Sequence, residues 1–117
     1  MDRTKRINEM IKREIGVILL TEIRDPRLKF VTVTGVEVSK DLQHAKVFYS
    51  YLGSDRDEVG QALEKARGFV RLLVGQRVIM RYTPDIQFYY DKSIEYSDRV
   101  EQALENIKRR EAGENVE

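Results

Sequence analysis

The run KARGFVRLLVGQRV, residues 65 to 78, sets Lys65, Arg67, Arg71 and Arg77 around two glycines, Gly68 and Gly75. Ammonium and guanidinium groups donate to phosphate oxygens, and a residue without a side chain lets a sugar–phosphate backbone come close. Glycine inside a helix costs about 0.5–1 kcal/mol relative to alanine, so two on one run ask for a reason.

A helical projection at about 100° per residue from Gly60 puts Val59, Ala62, Leu63, Ala66, Phe69, Val70 and Leu73 in one apolar sector. Both glycines fall near 60–80°, beside Arg71 and close to Arg67, on the outward basic face. Close packing of the helix on its own sheet is then the weaker account of them. A bend or break at Ala66-Arg67-Gly68, or the approach of another molecule's backbone, fits better. A break would also turn a second helix N-terminus, with its free amides, toward anions.

Other chemistry is sparse. His44 is the only histidine and has no evident partner, and Asp55 and Asp57 sit where a helix begins, which suits capping better than acid–base work. No P-loop, HExxH or EF-hand spacing occurs, and there is no cysteine. Catalysis, a metal site and a cofactor are therefore not expected. Tyr49, Tyr51, Phe88 and Tyr90 alternate as the buried side of strands would, leaving Tyr89 as the aromatic free to stack on a base.

The elements that position these residues follow from periodicity. Ile7, Met10, Ile11, Ile15, Ile18, Leu19 and Ile23 make 3–23 an amphipathic helix with Asp2 as N-cap, carrying a second basic strip of Arg3, Lys5, Arg6, Lys12 and Arg13. Pro26 ends it. Two alternating strands follow, the first slipping phase at Gly35 as a β-bulge requires, joined by a polar turn at SKDLQH. Asp55 and Glu58 stand at capping-box spacing before the long glycine-bearing helix, then come the strand TPDIQFYYD and a last helix with Ile94, Val100, Leu104 and Ile107.

With 117 residues the chain holds one domain, and 35% charged residues imply a very polar surface. The net charge is only +1, but it is uneven: residues 64 to 81 carry Glu64 alone against five cations, while the acids gather late. A local positive field attracts phosphate whatever the total, although solvated helix faces would look the same. No membrane span or signal peptide is evident, which predicts a cytoplasmic protein.

An αββααβ order whose middle helices meet at Ala66-Arg67-Gly68 resembles the ribosome-binding factor A family, as do RDPRL at 24–28, VTVTGVEVSKDLQHAKVF at 31–48, ARGFVR at 66–71 and TPDIQFYYDKS at 83–93. One departure is Asp85, where glutamate is commoner. The resemblance implies an α+β, two-layer type II KH-like domain over residues 1–96, with a helix-kink-helix in place of the GxxG loop. Residues 97–117 would form a C-terminal helix and a disordered tail.

It further implies an assembly factor that binds the 16S rRNA of the small (30S) subunit precursor, beside other assembly factors, assists 5′-end maturation and matters most in the cold; a monomer is the default expectation. The expected RNA contacts are Lys65, Arg67, Gly68 and Arg71, with Arg3, Lys5, Arg6, Lys12 and Arg13 as a second strip. From the residues alone, a small protein-interaction domain that binds no RNA, or an enzyme that cleaves rRNA directly, stays open.

Overall fold

Isoleucines at three- and four-residue spacing make Arg3–Thr21 a helix, α1, that buries Ile11, Ile15, Ile18 and Leu19. The computed structural model describes residues 3–53 and 55–93, so the expected Asp2 cap and the C-terminal helix lie outside the described residues. Pro26 opens a short 3-10 helix, Pro26–Phe30, where the sequence suggests only a break. Asp25 caps it: one carboxylate oxygen accepts from the Arg27 amide and Nε, both at 3.0 Å, and the other from Nη2 at 2.7 Å.

The Arg27 side chain holds the Asp25 carboxyl below the usual carboxylate range, outweighing an opposing desolvation, with the Arg27 backbone amide and charge adding to the lowering. A depressed native pKa stabilises the fold above the unfolded value, about 3.9, and that support disappears as the pH falls through the native value. Because the pair is only partly buried and open to solvent screening, the effect is small. The urea midpoint should therefore fall slightly less between pH 6 and pH 3 in Asp25→Asn than in the parent chain.

Strand β1, Val31–Val38, and strand β2, His44–Tyr51, form an antiparallel hairpin. The expected bulge is present: Val33 faces Tyr49 and Gly35 faces Phe48, so Thr34 is the extra residue, and its Oγ1 donates to Asp91 Oδ2 at 2.6 Å. Helix α2, Arg56–Arg77, crosses over to strand β3, Asp85–Tyr90, which pairs parallel to β2. The sheet order is β1-β2-β3, with α1 mainly over β1 and α2 mainly over β3. Both helices close one core with Val33, Val36, Ala45, Val47, Tyr49 and Ile86 of the sheet.

Three expectations change. α2 is one helix from Arg56 to Arg77, without a break at Ala66-Arg67-Gly68. Gly68 keeps its N–H and can carry the helical ladder, and Val59, Leu63, Val70 and Val74, all fully buried, hold both halves on one core. The described order is thus αββαβ. Asp55 precedes α2 but its side chain makes no capping hydrogen bond, leaving Asp57 and Glu58 to complement the helix dipole. Phe69 is 46% exposed, because it projects about 100° from the centre of the buried stripe.

Candidate nucleic-acid interface

The outward face of α2 forms one wall of a groove of about 600 Å³ lined by Gly68, Arg71, Leu72, Gly75, Gln76, Tyr82 and Thr83. Its other wall is the segment that returns from α2 to β3. Arg71 Nη2 donates to the Thr83 carbonyl at 3.0 Å, which fixes the guanidinium at the groove edge. A guanidinium has five N–H donors, so one such bond leaves most of them for an incoming phosphate.

The two glycines serve different ends. A Cβ on Gly75 would lie 2.6 Å from Thr83 Oγ1, so Gly75 allows close packing, against the segment that precedes β3 and not against the sheet. A Cβ on Gly68 would meet nothing within 4 Å. Gly68 is open to solvent, on the outward face where the projection puts it. Gly68→Ala should therefore raise stability by about 0.5–1 kcal/mol. Gly75→Ala should instead lower stability, because Thr83 must shift, and the loss should disappear in a Thr83→Ala background, as a urea double-mutant cycle would show.

The remaining cations divide. Arg67 pairs with Glu64 one turn back at 3.4 Å, an exposed contact worth a few tenths of a kcal/mol and readily exchanged for phosphate. Lys65 is exposed on the same helix. Arg77 is committed elsewhere: it reaches Glu14 at 3.8 Å and Glu22 at 3.5 Å, tying α2 to α1. The α1 strip splits in two. Arg3 and Arg6 line a cleft that shares Tyr82 with the α2 groove, whereas Lys12 and Arg13 line a separate groove with Gly16, Val17 and Lys29 along β1. Lys5, between Arg3 and Arg6 in sequence, is exposed.

Aromatic placement follows the strand alternation. Tyr49 is buried and meets Phe88 and Tyr90 edge-on at 6.4 and 5.8 Å, and burial pushes its phenol pKa up. Tyr89 is 41% exposed on the other face, beside Phe48 and Lys46, and donates to Gln87. Tyr82 and Gln76 were not singled out from the sequence, and Arg81 counted only as one of the five cations of residues 64 to 81. An exposed tyrosine between a helix end and a proline is the signal that could have found Tyr82. His44 is exposed at the start of β2, its backbone amide bound to Ser39 Oγ. Among the described residues no three His, Asp or Glu side chains are grouped to hold a metal.

Comparison with known proteins decides the family. The model of the family described as ribosome-binding factor A matches residues 3–104. The chain belongs to the ribosome-binding factor A family. The ribosome-binding factor A of Halothermothrix orenii is 45% identical over 98% of this chain and 96% of its own. Among solved structures, ribosome-binding factor A from Thermus thermophilus superposes with a TM-score of 0.69 at 25% identity, covering 76% of this chain and 97% of that one. A Thermotoga maritima relative determined by solution NMR gives 0.58 at 38% identity, covering 76% and 90%. The two-layer α+β, KH-like architecture is thus the one that family members adopt, and the α2 groove is a feature of this chain's own surface within it.

Proposed function

We propose that the chain is a ribosome assembly factor that binds the immature 30S subunit through 16S rRNA, assists maturation of the rRNA 5′ end and matters most in the cold. It acts in the cytoplasm as a monomer, by binding rather than by catalysis. Family membership over residues 3–104 carries this reading. A homology model of the T. thermophilus ribosome-binding factor A, fitted into a cryo-EM map of a 30S complex, supports it: that chain superposes on this one with a TM-score of 0.62 at 26% identity over 73% of the chain.

The α2 groove offers the means. Arg71 meets phosphate within the groove and Gly68 leaves room for the strand, while Arg67 and Lys65, outside its lining on the same helix, meet phosphates further along. Lys5, Lys12 and Arg13 add a long-range positive field. Sedimentation of extracts from cells grown in the cold tests the assignment. The protein should travel with free small subunits and their precursor rRNA, and its loss should leave unprocessed 5′ ends. Migration with neither free subunits nor rRNA would overturn it, as would cleavage of rRNA by the purified protein the claim of mere binding.

A further inference from the structure

Across Tyr82 from the α2 groove lies a cleft of about 450 Å³ that the phosphate contacts along α2 leave unused. Its apolar surface is unusual for a molecule this polar: Ile79 is 98% exposed and Tyr82 68% exposed. Leu42 completes the apolar wall at φ 62°, a left-handed backbone that a leucine adopts only at a cost of about 1–2 kcal/mol. Strain of that kind persists where the surroundings hold it, here through the Leu42 amide bonded to Ser39 O at 2.9 Å.

Around this apolar floor stand Arg3, Arg6 and Arg81. Among the described residues neither Arg3 nor Arg6 makes an ion pair, and the Arg81 guanidinium lies 5.4 Å from the Tyr82 ring centre. An apolar slot ringed by guanidinium groups matches a ligand that is flat and apolar in its middle and anionic on both sides. An unpaired nucleotide within a strand has that form.

We propose that this cleft is a base-binding subsite for single-stranded RNA, in which an unpaired base stacks on Tyr82 between Ile79 and Leu42 while its flanking phosphates meet Arg3, Arg6 and Arg81. The inference rests on the RNA-binding reading above and extends it: Tyr82 lines both grooves, so a strand lying along α2 reaches the cleft without leaving the surface. The acid among the described lining residues, Asp41, accepts from Ser39 Oγ at 2.6 Å and from the Gln43 amide at 3.1 Å. Its carboxylate accepts from exocyclic amines, which adenine, cytosine and guanine carry and uracil lacks.

Fluorescence anisotropy with the full chain and a labelled single-stranded 10-nucleotide RNA of mixed sequence tests this. Tyr82→Ala should weaken binding by about 5- to 100-fold, the usual range for a lost base stack, with an unchanged salt slope. Tyr82→Phe should stay within about two-fold, because the ring remains. Leu42→Gly suits the left-handed backbone and should keep stability while weakening binding. An abasic nucleotide scanned along the RNA should weaken the parent chain at one position and have no further effect on Tyr82→Ala. If Tyr82→Ala and every abasic RNA bind like their parents while Arg71→Glu still loses affinity, the subsite is refuted and the RNA-binding groove stands. If an acidic aromatic peptide occupies the cleft in place of RNA, the subsite alone falls; if the unmodified chain binds no RNA, both fall.

Discussion

Replacing Arg67 and Arg71 together by glutamate is expected to weaken binding to single-stranded 16S rRNA segments by about 30- to 100-fold at 0.1 M salt. Each exposed phosphate contact contributes on the order of 1 kcal/mol, and the two introduced carboxylates add repulsion, for a total of about 2–3 kcal/mol. The salt dependence is the sharper measure. Each lost contact removes about 0.7 from the log–log slope for single strands, so the double variant should flatten it by about 1.4. Glutamate is a good helix former, and neither arginine is buried, so α2 should survive the change. Arg77→Glu is the control. It breaks the ties to Glu14 and Glu22 and should lower the urea midpoint while leaving the salt slope alone. An unaltered slope in the double variant would remove α2 from the interface.

Leu63→Ala should have the largest effect on stability, a loss of about 3 kcal/mol within the 2–5 kcal/mol range for a buried leucine. Leu63 is fully buried on α2, among side chains from both helices and the sheet, so the vacated space has little surface able to collapse into it. For a domain whose total is about 5–15 kcal/mol, that loss is a large fraction. Leu72, one face round and 58% exposed, should cost less than about 0.5 kcal/mol on truncation to alanine. Chemical denaturation of the two variants side by side checks both magnitudes. Equal losses would mean that the burial pattern of α2 is misassigned.

Much of this architecture was legible because periodicity reports burial directly. The slip at Gly35 identified the bulge, Ala45, Val47 and Tyr49 identified the inner side of β2, and the isoleucines of α1 their own stripe. What periodicity could not show was the return of the chain from Val78 to Pro84. That segment decides the site: it packs Thr83 onto Gly75, gives Arg71 a carbonyl to bind and brings Tyr82 between two grooves. The same limit misled the reading of α2. A glycine marks a place where a helix can bend, but whether it does depends on tertiary packing, and here four buried residues on one stripe keep it continuous. Arg77 likewise looked like one more cation until Glu14 of α1 and Glu22, just past its end, came within its reach.

The parallel pairing of β2 with β3 also constrains how the chain reaches this form as it is made. β2 is the central strand, and its second neighbour is contributed by residues 85–90, on the far side of α2. While the polypeptide emerges, the hairpin is available early, yet one side of its central strand stays without a backbone partner until the crossover helix has been synthesised and docked. Such non-local closure slows acquisition of the native state relative to an all-helical domain of this size. During that interval the unfinished sheet presents an adhesive margin to other nascent chains, a hazard that grows with translation time.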